Sequence, residues 1–115
     1  MTRIFNQYIR LRDMENGCIS CTEGRVENAG HYRSTGCAPQ ASMRFDEKNV
    51  NGQCIRCNYT LGGNRDGYEV GLKKKYGKEV LRELEIKRAM KPKPWKRWEY
   101  EQMIKHYEEK VKSLS

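Results

Sequence analysis

Two cysteine pairs of identical spacing, Cys18-Ile-Ser-Cys21 and Cys54-Ile-Arg-Cys57, are the residues best suited to chemistry in this chain. Four thiolates close a tetrahedral shell around one zinc ion at about 2.3 Å each, and a two-residue gap lets both sulfurs of a pair reach one metal from a tight turn. A redox dithiol or a disulfide uses the same residue types. A redox pair, however, is expected once, ahead of a helix in a βαβ setting that this chain lacks. The spacing therefore points to structural zinc. The 32 residues between Cys21 and Cys54 exceed what a plain zinc ribbon needs, and they hold Gly30-His31-Tyr32 and Asn49, with Asn58 directly after Cys57. A neutral imidazole can take a proton from water at neutral pH, and an amide oxygen is a hard, uncharged ligand for Mg²⁺ or Mn²⁺. Together they suit metal-assisted hydrolysis of a phosphodiester.

The elements that must carry these residues follow from apolar spacing. Ile4, Phe5, Tyr8, Ile9 and Leu11 form a helical stripe after Thr2, a candidate N-cap, and Gly17 ends the segment. Arg25 to Arg33 reads as a short hairpin, and Ser34 to Lys48 as irregular chain with Gly36 and Pro39 at turns. The second cysteine pair leads into a helical stretch weakened by Gly62 and Gly63. The helix resumes near Arg65 with Tyr68, Leu72 and Tyr76 on one face. Gly77 precedes a helix from Lys78 to about Ala89 with Val80, Leu81 and Leu84 inward. Pro92 and Pro94 break the chain before a last helix from about Lys96 to Ser113. The fold class expected is α+β: a small zinc-stabilised ββα-metal domain over residues 1–90, with an N-terminal helix, then a basic Pro/Trp linker and C-terminal helix over 91–115.

Composition limits the partners. The chain has 115 residues, 37% hydrophobic and 33% charged, and a formal charge of +8. Its mean hydropathy is −1.00. So small and polar a chain buries a modest core and benefits from a metal. No apolar run reaches membrane-spanning length, and the amino terminus lacks the apolar stretch of a signal peptide, so a cytoplasmic protein is expected. Residues 1–60 carry a net +2 and residues 61–115 a net +6, which favours a polyanion bound through the second half. From Ile86 to Trp98 there are six basic residues (Lys87, Arg88, Lys91, Lys93, Lys96 and Arg97) and no acidic one, interleaved with Trp95 and Trp98. Such a segment can neutralise phosphates and stack on bases, or serve as a solvated linker whose tryptophans anchor the last helix. Lys73, Lys74 and Lys75 extend the same basic surface.

The order CxxC, histidine, N-x4-CxxC and Asn resembles the HNH endonuclease superfamily. Within it, AGHYRSTG, MRFDEKNVNGQCIRCN and the LGGN that follows are similar to the lambda-phage NinG (Rap) family of recombination proteins, implicated in cleaving branched DNA. A more distant similarity runs to phage endonuclease VII. The resemblance covers about Ile4 to Leu84. It implies a general base at His31, a metal ligand at Asn58, and a brace for the histidine's loop at Asn49. It further implies a Mg²⁺- or Mn²⁺-dependent DNA endonuclease acting on branched DNA or Holliday junctions and leaving a 5′-phosphate and a 3′-hydroxyl. In a phage, that activity would belong in the host cytoplasm. Many HNH enzymes place Asp or His before the catalytic histidine; here Gly30 stands there, with Asn28, Asp46 or a backbone carbonyl as substitutes. Arg33 and Arg44 are candidate phosphate contacts.

Other readings use the same residues: an HNH nickase or restriction-like enzyme on ordinary duplex, or a non-catalytic zinc protein that binds DNA. His106 reads as structural, and Cys37 as a thiol outside the ligand set. Tyr100, Ile104, Tyr107, Val111 and Leu114 make an a/d seam over two heptads, which can dock on the chain's own domain or form a homodimer.

Overall fold

In the computed structural model, described over residues 1–33, 41–90 and 95–115, a two-stranded antiparallel sheet joins the strand that ends in the histidine to the strand that leads into the second cysteine pair. Strand β1 (Asn28–His31) pairs with β2 (Val50–Gln53) in the register Asn28↔Gln53, Ala29↔Gly52, Gly30↔Asn51 and His31↔Val50. The hairpin expected within Arg25–Arg33 does not form, because β1 takes a partner about twenty residues further on. That partner is polar yet wholly buried. Asn51 and Gln53 carry no exposed surface, so hydrogen bonding rather than alternating hydrophobicity fixes this strand.

Helix α1 (Thr2–Asp13) precedes the first cysteine pair, and a short α2 (Ala41–Arg44) lies between the strands. After β2 comes a π-helical turn, Arg56–Thr60. Gly62 and Gly63, both with positive φ, then break the path before α3 (Arg65–Tyr76). Helices α4 (Val80–Ala89) and α5 (Arg97–Leu114) complete the chain. The result is a small mixed α+β domain. No helix among the described residues is long and apolar enough to cross a membrane.

Two apolar clusters flank the sheet residues. Phe5, Tyr8 and Ile9 of α1 pack with Phe45, Val50, Tyr107 and Val111, so Tyr107 and Val111 of the α5 seam dock on α1 within the same chain, whereas Leu114 stays exposed. Phe5 meets Tyr107 edge-on at 5.0 Å between ring centroids. Trp95 lies 5.6 Å from Phe45 and 5.2 Å from Tyr100, anchoring the start of α5, whereas Trp98 is exposed. The second cluster joins Tyr32 and Met43 to Tyr68 and Leu72 of α3 and to Val80 and Leu84 of α4. Helix α3 reaches the first cysteine pair through glycine: a Cβ on Gly71 would collide with the Ile19 carbonyl, which lets the helix backbone lie against that turn.

Candidate functional site

Cys18, Cys21, Cys54 and Cys57 converge, with their sulfurs all within 4.8 Å of one another. The edge of a tetrahedron with 2.3 Å metal–sulfur bonds is about 3.8 Å. The Cys21 and Cys54 sulfurs are 3.8 Å apart. Amides support the sulfurs: Gly24 N donates to Cys21 Sγ at 3.3 Å, Cys57 N to Cys54 Sγ at 3.5 Å, and Asn64 Nδ2 to Cys57 Sγ at 3.5 Å. Burial pushes the Cys57 thiol up to about 12, so its thiolate form calls for a cation. The four cysteines fit a metal such as zinc, and a bound zinc would tie the Ile19–Ser20 turn to the π-helical turn. Cys37 lies outside the described residues.

His31 ends β1, half-buried, with Nε2 3.1 Å from the Arg44 carbonyl. A carbonyl only accepts, so Nε2 carries the proton and Nδ1 keeps the lone pair. Burial lowers the His31 pKa below its ordinary 6.5; the Arg44 charge also lowers it, while the hydrogen bond to the Arg44 carbonyl opposes both. The imidazole is thus held neutral.

Asn49 has no exposed surface and ties together the chain on either side of the histidine. Its Oδ1 accepts from Arg33 N at 2.9 Å, and its Nδ2 donates to the Arg33 and Met43 carbonyls at 3.2 and 3.0 Å. Tyr32 N donates to the Asn49 carbonyl at 2.8 Å. This geometry is that of a brace. Asp46 caps the same turn through Lys48 N and Asn49 N and pairs with Lys87 at 2.6 Å, so its carboxylate is already engaged. Asn58 sits in the π-helical turn immediately after Cys57, half-buried, its backbone N–H bonded to the Cys54 carbonyl at 3.0 Å. Its carboxamide makes no hydrogen bond among the described residues.

The basic residues divide. Arg33 pairs with Glu85, and its guanidinium lies 5.1 Å from the Tyr32 ring. Arg44 is exposed beside His31. Arg88 faces Glu85 at 3.9 Å, and Arg97, almost fully exposed, contacts Glu101 at 3.2 Å. Lys96 caps the start of α5 through its backbone N–H, 3.2 Å from Glu99. Lys91 and Lys93 lie outside the described residues. Lys75 leaves the expected basic surface: its ammonium is 2.8 Å from both Asp13 Oδ1 and Asn51 Oδ1.

That contact belongs to a buried polar network that sequence spacing does not reveal. Asp13, 2% exposed, also takes the Arg12 guanidinium at 2.9 Å and the Gly52 N–H at 2.8 Å. Although burial alone would raise it, these donors hold its carboxyl at about 2. Asn51 Oδ1 accepts from Arg12 and Tyr76 as well, and Asn51 Nδ2 donates to the Lys48 carbonyl. Tyr68 OH, fully buried, donates to the Gly30 carbonyl at 2.6 Å. The only signal in the sequence was a run of polar residues, Asn49, Asn51 and Gln53, interleaved with Val50 and Gly52.

With this geometry in view, comparison with known proteins is decisive at one level. The family model described as "Bacteriophage Lambda NinG protein" matches residues 1–115. The chain belongs to the NinG family. It is 39% identical over 114 residues to protein ninG of Escherichia phage lambda, covering 95% of this chain and 52% of that protein. Protein ninG of Salmonella phage P22 is 38% identical over 111 residues, covering 95% and 53%. Protein ninG of Escherichia phage 933W is 44% identical over 82 residues, covering 70% and 40%. The chain thus spans about half the length, or less, of these NinG relatives. No solved structure matches it.

Proposed function

We propose that this NinG chain is a metal-dependent DNA endonuclease of the HNH, ββα-metal kind, acting on branched DNA in phage recombination. The observation that carries the reading is His31: a histidine at a strand end, with Nε2–H fixed on the Arg44 carbonyl, Nδ1 without a hydrogen bond among the described residues, and its loop braced by buried Asn49. Strand β1, strand β2 and the turn bearing Asn58 follow one another as that reading requires.

In this reading His31 Nδ1 takes the proton of the attacking water, and Asn49 keeps the ring in place. Arg44, exposed beside the ring, meets a non-bridging phosphate oxygen. The unengaged carboxamide of Asn58 would hold Mg²⁺ or Mn²⁺, which when bound supplies positive charge at the scissile phosphate and the departing 3′ oxygen. The products are a 5′-phosphate and a 3′-hydroxyl. Lys87, Arg88, Lys96 and Arg97, with Lys91 and Lys93 of the intervening segment, grip backbone phosphates beside the site. The pairs of Lys87 with Asp46, Arg88 with Glu85 and Arg97 with Glu101 leave the basic side chains at the surface, where DNA can displace their partners. A symmetric cut across a junction calls for two such sites, hence two copies of the chain.

The test is cleavage of four-way junction, flap, single-stranded and linear duplex DNA in Mg²⁺ and in Mn²⁺. Branched substrates are expected to be cut fastest. His31→Ala should keep zinc and DNA binding while losing about 10²- to 10⁴-fold in rate. Equal cutting of linear duplex favours the nickase or restriction-like reading. Binding without cleavage by the wild-type chain favours a zinc-dependent DNA-binding protein.

A further inference from the structure

Gln53 is the last residue of β2 and has no exposed surface. Its Nε2 donates to the Gly63 carbonyl at 2.8 Å and to Ser20 Oγ at 2.8 Å. Because the Gly63 carbonyl can only accept, the amide orientation is fixed, and Oε1 faces the other way. There it lies against Gly30, buried and without a hydrogen-bond partner among the described residues. A Cβ added to Gly30 would collide with that oxygen and lie 2.7 Å from Cδ. The carboxamide therefore fills the space a side chain at position 30 would take. An unpartnered buried acceptor is destabilising, so its retention calls for a compensating role.

The contacts of Gln53 lie on the two segments that carry the candidate chemistry. Gly30 is the residue before His31. Gly63 N donates to the Cys57 carbonyl at 2.8 Å, the residue before Asn58, and Ser20 Oγ also reaches the Gly63 carbonyl at 3.5 Å. We propose that Gln53 is a positioning residue: its buried carboxamide, seated on Gly30 and bonded to Gly63 and Ser20, sets the spacing between the His31 strand end and the Asn58 turn. This role rests on the nuclease reading above; the packing of Gln53 against Gly30 does not.

The test is a double-mutant cycle of Gly30→Ala and Gln53→Ala, read by zinc content, thermal midpoint and single-turnover cleavage. Gln53→Ala should keep zinc and DNA affinity while cleavage falls about 10- to 100-fold. The half-saturating Mg²⁺ concentration should rise, a readout that a purely structural residue would leave unmoved. Gly30→Ala should lower the thermal midpoint in the wild-type background and not in the Gln53→Ala background, where the space is open. Additive shifts of the midpoint would overturn the packing, whether or not the protein cleaves DNA. Wild-type cleavage rate and Mg²⁺ dependence in Gln53→Ala would overturn the positioning role, while absence of cleavage by the wild-type chain would instead sink the nuclease reading and the role with it. Should Gln53→Ala lose zinc, Gln53→Met repeats the comparison with the bulk retained. Loss of zinc in both variants would make Gln53 a folding residue and refute the proposal.

Discussion

At the scale of single residues, environment selects one protonation state for each buried titratable group. His31 is kept neutral first by burial and then by the nearby Arg44 charge, so its folded pKa lies below 6.5. A base works when unprotonated. The acid limb of a cleavage pH profile should therefore fall below the range of a free histidine, and Arg44→Gln should move it upward. A limb at or above 6.5 in the wild type would contradict the assignment of His31 as the base. Asp13 shows the opposite charge state. Its folded pKa, about 2 against an ordinary 3.8, makes its stabilising contribution full above pH 4 and lost as the pH falls toward 2. Asp13→Asn leaves the half-buried Arg12 and Lys75 without their carboxylate and should cost about 3 kcal/mol at pH 7 in denaturant unfolding. Stability should also fall less steeply in the variant than in the wild type between pH 4 and 2.

At the scale of elements, the parts legible in the sequence were those specified by apolar spacing or metal-ligand spacing. The stripe Phe5, Tyr8 and Ile9, the face Tyr68 and Leu72, and the pair Val80 and Leu84 are all buried, because a helix that buries one stripe must repeat it every three or four residues. The cysteines converge as their two-residue gaps required. Strand β2 was not legible, since Val50-Asn51-Gly52-Gln53 is held by hydrogen bonds from groups far away in sequence: Asp13, Lys75, Ser20 and Gly63. For the same reason the hairpin expected over Arg25–Arg33 gives way to a single strand, β1, whose partner lies about twenty residues further on. The candidate site divides along that line: His31, Asn49 and Asn58 stand out by their position relative to the cysteines, whereas Gln53 and the Asp13 network need the fold. Helix α5 lay between two readings, and its docking on α1 through Tyr107 and Val111 can be measured. Tyr107 also donates to Glu47 Oε2 at 2.9 Å and packs edge-on against Phe5 and tilted against Tyr8, so Tyr107→Ala should cost about 3 to 5 kcal/mol of folding stability. A loss under 1 kcal/mol would mean that α5 is not held by α1 in solution.

At the scale of the molecule, two small apolar clusters and a cysteine quartet share the work of folding, and the proposed reading assigns the excess charge to DNA. Removing a metal from the quartet would free both cysteine turns, and with them the support of α3 at Gly71 and of the turn that carries Asn58. The charge, +8 in total, acts at longer range and through counterions. Arg33 and Lys87 face acidic partners, so binding through them must first exchange an ion pair for a phosphate. Arg97, with 93% of its side chain exposed, has among the described residues only a surface contact to Glu101 and is the cleaner probe of phosphate binding. Arg97→Ala should reduce the slope of log K against log salt by about one for duplex DNA. It should weaken affinity alike for all base sequences and leave the single-turnover rate at saturating DNA unchanged. The same substitution with an unchanged salt slope would place the DNA on another face. A fall in the saturated rate with the slope unaltered would put Arg97 at the chemistry rather than on the backbone.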